Sequence, residues 1–93
     1  MKIGMTSNTL SNESIKKVFD YAKQSGLDGI EWAVVENHID LNTPDTQRKF
    51  RELSEKENIE IFSLGSYTHM TDPVECDKTL DAAIKMGAPI IRL

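Results

Sequence analysis

Glu31 stands between Ile30 and Trp32 in the apolar run IEWAVV. A carboxylate in such a run is costly to bury unless a cation, a ligand or water meets it. Two roles suit it: a polar pocket residue near the end of a strand, or the acidic half of an internal ion pair with Arg92. Trp32 can offer an apolar floor to a ligand's C–H face, or it can serve as a large core residue. His38 and His69 are the only two histidines. An imidazole can bind a metal or a hydroxyl and titrates near neutrality; each of the two can equally be a solvated loop residue. Thr6, followed by Ser7 and Asn8, and Tyr67 supply short hydrogen-bonding groups suited to hydroxyls. Turn and cap duties account for Ser7 and Asn8 equally well. Cys76 has no histidine at helical spacing after it and reads as a helix core residue, not a nucleophile. Glu52, Glu55, Lys56 and Glu57 read as a solvated helix face. The chain has no G-x-G-x-x-G or Walker loop, no C-x-x-C, no H-E-x-x-H and no G-x-S-x-G, so nucleotide binding, structural zinc and serine hydrolysis have no support.

The elements that position these residues alternate strictly. Lys2–Thr6 reads as a strand. Ser11 is placed to cap a helix carrying Ile15, Val18, Phe19 and Ala22 on one face. Gly26 stops that helix at the position that needs positive φ. Residues 30–35 form a second strand. Thr43-Pro44-Asp45 starts a second helix, with a hydroxyl cap, proline in the first turn and acid at the positive dipole end. Asn58 ends it, and residues 59–64 form a third strand. Asp72-Pro73-Val74-Glu75 is a capping box, Cys76, Leu80, Ala83 and Ile84 form the expected buried stripe, Gly87 stops the helix, and residues 89–93 form a fourth strand. The stops at Gly26, Asn58 and Gly87 are 32 and 29 residues apart, the size of a strand–helix unit. Strands joined through helices run parallel. The strand-to-helix connections, 36–42 and 65–71, are longer and more polar than the helix-to-strand ones, as when one end of a barrel carries the site.

Composition bounds the rest. The 93 residues are 39% hydrophobic and 28% charged, with 11 basic against 15 acidic side chains and a net charge of −4. That is globular composition, with no electrostatic footprint for DNA or RNA. A lone cysteine forms no internal disulfide and suits a reducing compartment. No apolar run reaches the roughly 18 residues of a membrane span, and no signal-peptide core follows Met1. A cytoplasmic protein without membrane or nucleic-acid partners is the expectation. The fold class expected is α/β: the N-terminal half of a (β/α)8 TIM barrel, four parallel strands alternating with three helices, with residues 1–93 forming an incomplete domain because a full barrel takes about 250 residues. A four-stranded open sheet is the alternative.

KIGMTSNTL, SGLDGIEWAVVENH, ENIEIFSL and KMGAPIIRL together resemble the xylose isomerase-like TIM barrels. These include sugar phosphate isomerases and epimerases, ketose 3-epimerases and endonuclease IV. The resemblance runs over essentially the whole chain in the right order, strongest in LDGIE and GAPIIR. It implies a parent enzyme in which a divalent metal (Mn, Mg, Co or Zn) eases proton transfer beside a sugar carbonyl. The family's metal ligands and its acid and base lie on strands five to eight, so the resemblance places no catalytic or metal residue in this chain. It leaves Thr6, Glu31, Trp32, His38, Tyr67 and His69 as the substrate-facing wall for a sugar or sugar phosphate. SYTH, residues 66–69, loosely resembles the zinc-histidine region of endonuclease IV relatives. A metal-dependent phosphodiesterase of that type, or a non-catalytic half-barrel interaction module, are the alternatives; the acidic balance counts against the first.

Two expectations follow. Residues 1–93 alone should bind no divalent metal tightly and show no isomerase activity. Ile3, Met5, Ile30, Ile61, Leu64 and Ile91 should leave apolar surface on both faces of the sheet, so the chain should self-associate through the open half barrel.

Overall fold

A computed structural model describes residues 1–93. The elements in chain order are β1 (Gly4–Thr6), α1 (Ile15–Gln24), β2 (Gly29–Ala33), α2 (Pro44–Glu57), β3 (Glu60–Gly65), α3 (Pro73–Met86) and β4 (Ile91–Arg92), with a 3₁₀ turn over Ser7–Leu10 after β1. The four strands make one sheet in the order β1-β2-β3-β4, every pairing parallel. The fold is therefore α/β with four parallel strands. Strand ends shift from the sequence expectation by one to two residues, as ends commonly do.

Local chemistry sets the boundaries. The left-handed stops lie where expected, at Gly26 (φ 68°), Asn58 (φ 56°) and Gly87 (φ 76°). Asp72 caps α3 by accepting from the Glu75 amide at 3.1 Å. Two cap assignments change. Ser14, not Ser11, caps α1 by accepting from the Lys17 amide at 3.3 Å, because the 3₁₀ turn consumes Ser7–Leu10 and Ser11 closes it onto Asn8. Thr43 precedes α2 but its hydroxyl donates back to the Asp40 carbonyl at 3.1 Å instead of capping. Pro44 and Asp45 start that helix, since proline needs no amide partner and the acid complements the dipole.

All three helices pack on one face of the sheet. Val18, Phe19 and Ala22 of α1, Phe50 of α2, and Ala82, Ala83 and Met86 of α3 form a single core with Ile30, Trp32, Ile59, Ile61, Leu64 and Ile39. Phe19, His38 and Phe50 surround Trp32, with ring centroids 5.1, 5.6 and 4.7 Å away. The α3 stripe differs from expectation: Thr79, Ala82, Ala83 and Met86 are buried, whereas Leu80 and Ile84 are exposed and Cys76 is half-buried. Small Ala82 and Ala83 seat the helix on the sheet.

The opposite face carries Gly4, Thr6, Gly29, Glu31, Phe62, Ser63, Gly65 and Arg92, and this corrects the expectation of apolar surface on both faces. Ile30, Ile61 and Leu64 are buried under the helices, and Met5 and Ile91 pack partly against the same core. A bulge in β3 explains the rest. Ile30 pairs with Ile61 but Glu31 pairs with Ser63, so Phe62 is the extra residue. Its ring lies across Gly4 and Gly29, where any Cβ would run into it.

Candidate functional site

Parallel strands bring their C-terminal ends to one end of the molecule. Thr6, the segment 34–43 after β2, the segment 66–72 after β3 and Arg92 lie there, while Gly26, Asn58 and Gly87 turn the chain at the other end. The sheet thus separates a loop-bearing end from an end of tight turns.

The polar centre of the open face is built on Glu31. Ser63 donates its hydroxyl to Glu31 Oε2 at 2.6 Å. Arg92 sets Nε and Nη2, each at 3.0 Å, on Oε1. The pair spans from β2 to β4 across β3, and it passes over Gly65, where a Cβ would meet Arg92 Nη2 and Glu31 Oε1 at 2.8 Å each. Glycine is needed there for space, not for backbone conformation. The Ser63 hydrogen bond, followed by the Arg92 guanidinium, holds the Glu31 carboxyl below its ordinary pKa; burial acts in the opposite sense. Of the two sequence roles for Glu31, the ion pair with Arg92 is the one present. A carboxylate so stabilised is a fixed acceptor and a poor proton-abstracting base. Arg92, half exposed, keeps Nη1 free of protein partners and can donate it to a ligand oxygen.

Thr6 neighbours Glu31 in the β1–β2 register, and its hydroxyl accepts from the Asn8 amide at 3.3 Å. Tyr67 and His69 are exposed on the loop after β3, with His69 Nδ1 and Thr71 Oγ1 3.2 Å apart. Trp32 and His38 are different. Trp32 is fully buried and His38 is 4% exposed, so neither faces a solute. Glu13's carbonyl lies 2.9 Å from His38 Nε2. A carbonyl only accepts, so Nε2 carries a proton, and Nδ1 lies 3.1 Å from Ser7 Oγ, whose hydroxyl can donate to it. Ser7 Oγ in turn accepts from the Ala33 amide at 2.8 Å. His38 thereby ties the segment after β2 to the turn after β1, a positioning task. Four of the six candidates, Thr6, Glu31, Tyr67 and His69, share the accessible end; Trp32 and His38 support it from inside.

Ser63, which sequence reasoning passed over, and Ser7, which it weighed as a hydroxyl-binding group or a turn residue, hold the site's hydrogen-bond network. Ser63, polar between Phe62 and Leu64, carried the same signal that singled out Glu31. Ser7 showed as a hydrogen-bonding group, but not its partners, which come from the segments of Ala33 and His38.

The side chains present do not fit a divalent metal. No group of three or more His, Cys, Asp or Glu residues comes together, both Glu31 oxygens are engaged, and both His38 nitrogens are used internally. The largest groove, about 780 Å³, lies at the other end, against Lys2, Arg51, Glu60, Phe62, Gly87 and Ile90. Its charges are engaged with one another, Lys2 with Glu60 and Arg51 with Glu55. No helix is long and apolar enough to cross a membrane. No protein-family model matches the chain, and no curated protein matches it.

Proposed function

We propose that this chain is the N-terminal half of a xylose isomerase-like (β/α)8 barrel, the substrate-facing wall of a sugar or sugar phosphate isomerase or epimerase. One observation carries the reading: four parallel strands in sequential order with helices on one face only. A doubly wound sheet reverses its strand order and places helices on both faces, whereas a barrel runs in sequence with its helices outside. The open face then becomes the barrel interior, and its polar residues are the ones a polyol needs. Glu31 accepts from a hydroxyl, Arg92 and Ser63 orient it, and Tyr67 and His69 approach from the loop after β3. In the parent enzyme a divalent metal would supply the polarisation of the carbonyl; this chain contributes binding and orientation, and the proton transfer belongs to residues of the other half.

The test is a titration of the chain with ketoses, aldoses and their phosphates, followed by amide chemical shifts. Changes confined to Glu31, Ser63, residues 66–69 and Arg92 are the expected result. Shifts confined to the groove at Lys2 and Arg51, or none at any attainable concentration, would remove the reading. A duplex with an abasic site, added in parallel, tests the phosphodiesterase alternative. Calorimetry with manganese, cobalt and zinc should give no stoichiometric sub-micromolar site, and turnover should be absent.

A further inference from the structure

The segment after β3, residues 66–72, keeps its place without an apolar anchor. Its large apolar side chains, Tyr67 and Met70, are 65% and 78% exposed. Burial alternates along its start: Ser66 is buried, Tyr67 exposed, Thr68 half-buried and His69 exposed. With so little apolar contact, the order of such a segment has to come from hydrogen bonds. Ser66 is tied to Arg92 of β4, with its amide 2.8 Å and its hydroxyl 3.1 Å from the Arg92 carbonyl. The His69 carbonyl accepts from the Asp72 amide at 3.0 Å and from the Cys76 thiol at 3.6 Å. Between these ties, Thr68 Oγ1 lies 2.6 Å from Thr79 Oγ1 of α3.

Thr79 is 1% exposed and shares the buried face of α3 with Ala82, Ala83 and Met86. Valine has nearly the same shape, so packing alone does not call for a hydroxyl there. Thr79 donates its hydroxyl proton to the Glu75 carbonyl, one turn back, at 2.8 Å. A hydroxyl has one proton to give but can also accept. In the contact with Thr68 the donor is therefore Thr68, and Thr79 Oγ1 accepts. The direction runs from loop to helix, and the bond to Glu75 fixes where the acceptor points.

We propose that Thr79 is a positioning residue, acting through Thr68 to present Tyr67 and His69 at the loop-bearing end. Thr68 stands between those two, so a side chain held inward there turns both neighbours outward, as in any extended stretch. The anchor is rigid because Ala82, Ala83 and Met86 already fix α3 in the core. A loop ordered before its ligand arrives loses less entropy on binding. That Tyr67 and His69 meet a sugar rests on the function proposed for this chain; that Thr79 holds them in place does not.

Hydrogen exchange and amide spectra of the chain itself test it. Thr79→Val keeps the shape and removes the acceptor. The Asp72 amide should then exchange about fivefold faster, the weight of one neutral hydrogen bond, and the Tyr67 and His69 signals should shift and broaden. Exchange in residues 80–86 of α3 should stay at the parent rate. Thr79→Ser retains the hydroxyl and should restore the loop signals. Thr68→Val removes the same bond from the loop side, clear of the core, and should loosen the loop equally. Loop exchange at the parent rate in both valine variants would overturn the proposal. So would a Thr79→Ser loop as loose as that of Thr79→Val, since the methyl group would then be the anchor. The loop signals need no ligand, so a parent that shows no shift with added ketose removes the sugar reading alone.

Discussion

The two faces of the one sheet follow different rules. Under the helices, Ile30, Trp32 and Leu64 are fully buried and pack by shape against α1, α2 and α3. On the open face, Phe62 covers two glycines while Glu31, Ser63 and Arg92 hold one another by hydrogen bonds. Stability rests on the first face, and the fixed hydrogen-bonding groups lie on the second. Because successive strand residues alternate between faces, Glu31 and Trp32 are neighbours in sequence with separate tasks.

The sharpest way to break that division is Trp32→Ala. It removes the ring that Phe19, Phe50 and His38 pack against and should cost about 3–5 kcal/mol. Against a total stability of about 5–15 kcal/mol for a domain, that is enough to broaden or abolish a cooperative urea transition. Unchanged unfolding would mean that the core lies elsewhere.

Ser7→Ala should come next. Ser7 is fully buried and serves both the Ala33 amide and His38 Nδ1. Its loss leaves a buried donor and a buried acceptor unpaired, for about 2 kcal/mol. His38 ring signals should broaden in the variant, because the tautomer loses its donor. A variant as stable as the parent would show that Ser7 is only a turn residue.

Gly29→Ala probes the open face. The added methyl enters the Phe62 ring and should cost about 1–3 kcal/mol as overpacking. The same substitution in a Phe62→Ala background should cost less, and the coupling, about 1 kcal/mol, measures the contact. Additive effects would remove Phe62 from that position.

Parts of this were legible in the chain and parts were not, for physical reasons. Gly26, Asn58, Gly87 and Asp72 act through their own backbone or the next turn, so local sequence determines them. Alternation separates the residues of β2 into two faces, but the extra residue at Phe62 depends on how β3 meets β2, which no single strand records. His38 looked like a loop histidine because its partners, Ser7 and Glu13, lie 31 and 25 residues away. Of the α3 stripe, Ala83 is buried and Cys76 half-buried, whereas apolar Leu80 and Ile84 are exposed. Periodicity reports which side chains prefer burial, not whether another element arrives to bury them.

The smallest effect belongs to Glu31, and its sign discriminates between the faces. The hydrogen bond from Ser63 and the Arg92 guanidinium lower its pKa from the ordinary 4.5. In the unfolded chain the carboxyl takes up a proton at the ordinary value; in the folded chain it does so only at lower pH. The stabilisation is therefore complete above about pH 4.5 and is lost as pH falls through the depressed folded value. Glu31→Gln keeps an acceptor for Ser63 but removes the charge, and since Arg92 is half in solvent the loss near neutrality should be about 0.5–1 kcal/mol. The parent should lose stability on acidification relative to the variant, so that the two urea midpoints stand apart above about pH 4.5 and converge as pH falls through the depressed folded value. Parallel curves across that range would mean that the carboxylate is solvated and the open face has no fixed polar centre. Convergence would locate the ionised, oriented carboxylate on the face where the division of labour requires it.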